Sequence, residues 1–188
     1  MFLFFGCMTN VLFPKASPSL SEGEELQGCT FVIHPLFKLI NKTYNTLLMF
    51  TYTTKIRVRY AETDQMGCMY HGNYAQFYEV GRVEMMRSLG MSYRGMEEAG
   101  VALPVLEFRS KYIRPARYDD EISVKVIMAK LPSTRMHFNY ELYNEQGTLI
   151  NTGETTLVFV DAKTNRPCAP PKNFLDKVSG YFNTDKVD

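Results

Sequence analysis

Apolar and polar residues begin to alternate at about residue 53. Thr54, Ile56, Val58 and Tyr60 fall on one side of an extended chain, and Lys55, Arg57 and Arg59 on the other. A period of two predicts a strand with one polar face. After a loop over 61–70 the period changes. Tyr74, Phe77, Tyr78, Gly81, Met85 and Leu89 recur at three- and four-residue spacing, which predicts a helix over about 72–89. Gly81 within that stripe lowers helix propensity, and its presence makes sense if the helix lies close against a sheet. Gly90 is placed to stop the helix, and a short second helix over 92–99 ends at Gly100. Four more strands follow. One covers 103–113 and ends at Pro115, one is marked by Ile122, Val124 and Val126, one by Met136, Phe138, Tyr140 and Leu142, and one covers 148–160. Asn144–Gly147 is a turn between the last two, and a closing helix over about 171–181 starts after Pro170-Pro171. One long helix on five antiparallel strands is an α+β design. A single helix leaves part of such a sheet uncovered, with apolar surface and a strand edge open, so self-association is expected.

Residues 1–48 lack this regularity. Met1–Met8 is a short apolar run, and Ser17–Gly28 is rich in Ser, Glu, Gly and Pro. A secretory signal would need a basic start and a longer apolar run. Leu3–Cys7 faintly resembles a lipoprotein cleavage box, but only two residues precede it. Residues 1–48 are therefore read as an extension, poorly ordered or dispensable, ahead of a domain over 49–188, with Met49 as an alternative start. The net charge of +1 and the scattered basic residues suggest no nucleic-acid partner. Cys7, Cys29, Cys68 and Cys168 form no C-x-x-C pair, and His34, His71 and His137 have no metal-ligand spacing. No metal and no cofactor are expected, and unpaired thiols suit a reducing cytoplasm. No apolar run approaches the length of a membrane-spanning helix.

Most of the chemistry is concentrated in residues 60–74. Asp64 lies in a glycine-containing loop that runs into the predicted long helix, with Tyr70 and His71 at its first turn. A helix start offers unpaired N–H groups and a partial positive charge. Such groups hold a carbonyl oxygen as it becomes an oxyanion. A nearby carboxylate can attack that carbonyl or deprotonate a water. The plain alternative for Asp64 is a turn-forming or helix-capping aspartate. Glu79 reads as a solvated or interface residue paired with Arg82 or Arg59, Glu62 as a loop residue and His137 as surface.

The segment Arg59-Tyr-Ala-Glu-Thr-Asp64-Gln-Met-Gly67-Cys-Met-Tyr70-His71-Gly-Asn73-Tyr74, followed by Phe77-Tyr-Glu79-Val-Gly-Arg82, resembles the 4-hydroxybenzoyl-CoA thioesterase family. Tyr112-Ile-Arg-Pro115-Ala-Arg-Tyr-Asp119-Asp120 extends the resemblance, which covers about 53–182. It implies a hotdog fold, with one long central helix wrapped by a five-stranded antiparallel sheet. It implies dimers joined sheet edge to sheet edge, commonly tetramers, with active sites at the dimer interface. It implies hydrolysis of an acyl-CoA, or of an acyl carrier protein thioester, to a carboxylic acid and free thiol. Asp64 falls at the catalytic carboxylate, and the backbone N–H nearest His71 at the group that polarises the carbonyl. His71 and Tyr70 join Asp64 as catalytic candidates, Tyr70 chiefly as a pocket wall. Gly67, Asn73 and Met66 are candidate substrate contacts. The family often has a small residue where Met66 stands and an aliphatic one at Cys68, departures that reshape the acyl pocket. CoA phosphates call for cations at the pocket mouth, and Lys111, Arg114, Arg117 and Arg135 are candidates. Two other functions compete. One is dehydration of a 3-hydroxyacyl thioester by His71 with Glu79; the other is a non-catalytic acyl-binding module in which Asp64 only caps.

Overall fold

In a computed structural model, residues 49–182 are described. Expectations about residues 1–48 lie outside them. The chain begins with strand β1 (Phe50–Arg57), then 3-10 turns at Tyr60–Glu62 and His71–Asn73, then helix α1 (Tyr74–Ser88) and helix α2 (Tyr93–Glu98). Strands β2 (Val101–Ala102), β3 (Val105–Tyr112), β4 (Glu121–Met128), β5 (Arg135–Tyr143), β6 (Leu149–Val158), β7 (Val160–Asp161) and β8 (Arg166–Pro167) follow, then helix α3 (Lys172–Val178) and a 3-10 turn at Ser179–Tyr181. The main sheet has five strands in the order β1-β4-β5-β6-β3, with every pairing antiparallel. This is the expected α+β hotdog architecture.

Alternation gives the sheet one dry face. Ile122, Val124, Val126 and Met128 of β4 are buried, as are Met136, Phe138, Tyr140 and Leu142 of β5. Their neighbours Lys125, His137, Asn139 and Glu141 turn to the other, polar face. Helix α1 lies on the dry face with Tyr74, Phe77, Tyr78, Gly81, Met85 and Met86 buried. Each large apolar side chain removed from water contributes about 1.5–3 kcal/mol. Gly81 is where helix and sheet come closest: a Cβ there would stand 2.8 Å from a Val126 methyl and 2.9 Å from a Val124 methyl.

Not all of the interface is apolar. Tyr78 stacks on Tyr140, with ring centroids 4.3 Å apart and planes within 7°. The Tyr78 hydroxyl donates to Asn151 Oδ1 and lies 3.0 Å from Ser110 Oγ. Asn151 Nδ2 donates to the same Ser110 oxygen at 3.0 Å, so one cluster ties α1 to β6 and β3. Burial pushes the Tyr78 and Tyr140 phenols above their ordinary range.

Several expectations need correction. The first strand begins at Phe50 and stops at Arg57. Tyr60 does not continue the buried face but starts a 3-10 turn, 79% exposed. Helix α1 begins at Tyr74, after a 3-10 turn, rather than at 72. The predicted strand over 148–160 breaks into β6 and β7, and a small sheet β2-β7-β8 forms beside the main one. Arg82 is buried beside the exposed Glu79, whose carboxylate is 3.8 Å away; Arg59 pairs with Glu62 instead. Gly90 ends the long helix with φ 65, and Lys177 from α3 donates to the Leu89 and Gly90 carbonyls at 2.8 and 3.0 Å. A cation at a helix C-terminus is favourably placed against the helix dipole.

An alanine at Gly81 gains about 1 kcal/mol of helix propensity but drives a methyl into two valines, an overpacking cost of about 1–3 kcal/mol. Gly81→Ala is expected to lower the urea midpoint. An unchanged or raised midpoint would mean that helix and sheet are not in such close contact.

Candidate active site

The loop between β1 and α1 is built around a buried carboxylate. Glu62 is 5% exposed. Its Oε1 accepts from Arg59 Nε at 3.0 Å and Nη2 at 2.5 Å, and its Oε2 from the Arg59 backbone N–H at 2.7 Å. Its carbonyl accepts two more donors, the Tyr70 N–H and Asn73 Nδ2, both at 2.8 Å. The base of the loop is thereby fastened to the start of the helix. The one local sign that Glu62 is more than a solvated loop glutamate is Arg59, three residues before it.

Asp64 sits at the tip of this loop. Its N–H donates to the Cys68 carbonyl at 2.9 Å, and its carbonyl accepts from the Gly67 N–H at 3.0 Å. Gly67 closes the turn at φ 73, a left-handed conformation that glycine adopts without penalty. Oδ1 accepts the Met66 N–H at 2.9 Å, and the Cys68 thiol stands 3.7 Å away on the same oxygen. Oδ2 accepts no hydrogen bond among the described residues. Asp64 caps no helix: the N-cap positions are Tyr70 for the 3-10 turn and Asn73 for α1, and neither makes a side-chain capping bond. Neither first turn carries an acidic residue. The helix start thus keeps its partial positive charge uncompensated by any acidic residue of its own first turn.

The turn His71–Asn73 is held from the edge of the sheet. The Tyr112 hydroxyl, on β3, donates to the His71 carbonyl at 3.1 Å. The Tyr112 ring meets Tyr74 edge-on at 5.1 Å and His71 at 6.4 Å. Tyr70 lies against His71, with centroids 4.3 Å apart, and folds over Gly72, where a Cβ would stand 2.8 Å from the Tyr70 ring.

These pieces enclose a cleft of about 310 Å³. Asp64, Met66, Cys68 and Met69 of the loop form one wall; His71 and Tyr74 of the helix start form the second. Tyr112, Ile113, Arg114 and Pro115, from the end of β3, complete it. Asp64, His71 and Met66 therefore share the cleft. Tyr70, Gly67 and Asn73 do not line it; Gly67 shapes the turn and Asn73 binds the Glu62 carbonyl. Of the four candidate cations, Arg114 lines the cleft; Lys111 lies on the polar sheet face near Glu154, and Arg117 and Arg135 stand elsewhere. Glu79 is exposed on the helix, and His137 bonds Thr156 across the polar sheet face at 3.0 Å. Tyr112 was not foreseen as a site residue. Its place in the alternation of β3, on the side of Phe108 and Ser110, was the available signal. No cluster of three metal-binding side chains occurs among the described residues.

Known proteins share this arrangement of chain. The chain is 34% identical over 132 residues to the putative acyl-CoA thioesterase YneP of Bacillus subtilis, covering 70% of this chain and 96% of that one. It is 33% identical over 120 residues to the acyl-CoA thioester hydrolase YbgC of Escherichia coli, covering 64% and 90% respectively. Among solved structures, a DHNA-CoA thioesterase from Staphylococcus aureus superposes with a TM-score of 0.65 at 37% identity, covering 70% of this chain and 88% of that one. Residues 58–178 match the family model described as the thioesterase-like superfamily, and the chain belongs to that superfamily.

Proposed function

We propose that this protein is an acyl-CoA thioesterase of the 4-hydroxybenzoyl-CoA thioesterase family, with Asp64 as its catalytic carboxylate. The observation that carries the reading is the division of labour within that carboxylate. Oδ1 is tied down by the Met66 N–H, and Oδ2 has no partner among the described residues, in a cleft that it shares with the helix start. The thioester carbonyl lies against the N–H groups at His71, where the developing negative charge is stabilised. Oδ2 then attacks the carbonyl carbon to give a mixed anhydride, or takes a proton from the water that does so. Heavy-oxygen label entering Asp64 in a single turnover distinguishes the first route from the second. CoA leaves as the free thiol and the acyl group as a carboxylate. A dehydratase built on His71 and Glu79 fits less well, because Glu79 points out of the helix to solvent and Asp64 would have no task.

The active form is a homodimer or homotetramer. Helix α1 packs over β1 and β4, and the edge strand β3 keeps Val105, Phe108 and Tyr112 about half exposed on the same side of the sheet. A second copy joined along β3 covers them and brings its own chain to the cleft. The free Cys68 and Cys168 thiols suit the reducing cytoplasm where we place the enzyme. No helix among the described residues is long and apolar enough to cross a membrane.

Asp64→Asn keeps the shape and the turn but removes nucleophile and base together. Turnover of an acyl-CoA is expected to fall about 10²–10⁴-fold with little change in substrate binding, and Glu79→Gln is expected to do far less. The reverse ranking would transfer the role to Glu79. Tyr112→Phe removes one hydrogen bond to the His71 carbonyl and keeps the ring. It is expected to lower kcat about 2–10-fold, the worth of one such bond, at unchanged thermal stability; an unchanged kcat would remove Tyr112 from the positioning of this turn. Phe108→Asp puts a charge on the uncovered side of β3. Light scattering is expected to report a smaller species and assays a loss of activity, and an unaltered mass would exclude β3 as the joint.

A further inference from the structure

The loop that carries Asp64 is a small closed hairpin. The Tyr70 N–H donates to the Glu62 carbonyl at 2.8 Å, Thr63 pairs antiparallel with Met69, and the Asp64 N–H donates to the Cys68 carbonyl at 2.9 Å. These three rungs share one antiparallel register. Above them the Gly67 N–H donates to the Asp64 carbonyl at 3.0 Å and closes the turn. Asp64 begins that turn, and His71, whose N–H meets the thioester carbonyl in the proposed reaction, directly follows Tyr70. The separation of carboxylate and helix start is therefore set by the rungs, and the lowest rung is Glu62.

Glu62 grips in two directions. Its carboxylate faces back to Arg59, accepting from Nε at 3.0 Å and from the Arg59 backbone N–H at 2.7 Å. Its carbonyl faces forward, accepting the Tyr70 N–H and Asn73 Nδ2, both at 2.8 Å. The Glu62 N–H donates to the Arg59 carbonyl at 2.9 Å, and Thr63 Oγ1 donates to the Tyr60 carbonyl at 2.8 Å. A rotation of the peptide after Glu62 that would swing Asp64 breaks the bonds to Tyr70 and Asn73.

The pair is lopsided. The Glu62 side chain is 7% exposed and that of Arg59 is 74% exposed. A buried ion pair is a poor source of stability, because an apolar residue of similar volume often does as well or better. What it supplies is fixed geometry. Geometry is what the reaction needs, since a displacement of about 1 Å between reacting groups can cost about 10²-fold in rate.

We propose that Glu62, anchored by Arg59, is a positioning residue for hydrolysis. It fixes the distance between the Asp64 carboxylate and the N–H groups of the helix start. This rests on Asp64 as the catalytic carboxylate. Glu62 is not among the residues that line the cleft, so it acts through the hairpin and not on the substrate. Its effect falls on turnover, while Met66, Tyr74 and Tyr112 keep the cleft walls and the affinity.

The test uses the full chain with Glu62→Leu, Glu62→Gln and Arg59→Met. Leucine fills the buried position with an apolar side chain of similar size, so the thermal midpoint is expected to hold or rise. For an acyl-CoA, kcat is expected to fall about 10–100-fold with KM changed less than about twofold. Arg59→Met carries the same expectation without altering the buried side chain. Glutamine still accepts from Arg59 and should recover most of kcat. In an Asp64→Asn background Glu62→Leu should cost less than about twofold, because no carboxylate is left to position. Full kcat in Glu62→Leu and Arg59→Met, or a loss that multiplies with that of Asp64→Asn, would overturn the role. So would a loss that vanishes at temperatures where the variants are fully folded. Amide exchange at the Tyr70 N–H reads the hairpin apart from catalysis. In Glu62→Leu it should quicken about tenfold, with the amides of α1 unchanged. If the unaltered protein hydrolyses no acyl-CoA while Tyr70 exchange still depends on Glu62, the thioesterase reading fails and the clamp on the hairpin stands. If it hydrolyses acyl-CoA and Glu62→Leu leaves kcat untouched, the positioning role fails alone.

Discussion

The carbonyl of Glu62 is the point from which the site is suspended. It receives the Tyr70 N–H and the Asn73 side chain, while the carboxylate of the same residue is buried against Arg59. A buried carboxylate must find donors, since leaving it unpaired costs several kcal/mol. Arg59 and its own backbone N–H provide them, and the loop has little freedom left. What remains unbonded is as important as what is bonded. The loop hands the helix a start with no acidic cap, so N–H groups and partial charge stay available next to Asp64.

Two scaffolds meet at the cleft. The loop and helix start belong to the β1 side of the sheet, where Val58 and Met69 are buried in the main core. Tyr112 ends β3, the strand at the far edge, and Arg114 follows it. The helix does not blanket that edge; a stack of Tyr78 on Tyr140 and the Tyr78–Ser110–Asn151 cluster connect it instead. Polar groups buried with partners fix geometry more tightly than interchangeable apolar contacts. Here they hold the strand whose tyrosine steadies the His71 carbonyl. The same edge is the surface through which a second copy is proposed to join, so assembly and site geometry run through one strand.

Much of this was legible in the chain. Wherever an element has one dry face, its period records that face: Tyr74, Phe77, Tyr78, Gly81 and Met85 mark α1, and Met136, Phe138, Tyr140 and Leu142 mark β5. The Asp64 loop stood out because glycine, carboxylate and helix start occur together within a few residues. Local pattern failed where a residue's partner is distant or where the fold ends an element early. Tyr60 continued the alternation of β1 on paper, yet the strand had already ended. Arg82 was read only as a partner for Glu79, yet it is buried beside Tyr93 and Tyr140.

Sequence alone determined the main elements, the dry faces, the close approach at Gly81 and the position of the candidate carboxylate Asp64, because each depends on neighbours within about one helical turn or one strand. Tertiary structure decided which side chains share the cleft with that carboxylate. Tyr112 reaches His71 across 41 positions of sequence. Only the strand order, which puts β3 beside β6 rather than beside its sequence neighbour β4, fixes where that edge strand lies. The sign of the Glu62 environment was likewise not local. Whether a loop carboxylate is solvated or buried depends on what the rest of the chain packs over it, and no periodicity encodes that.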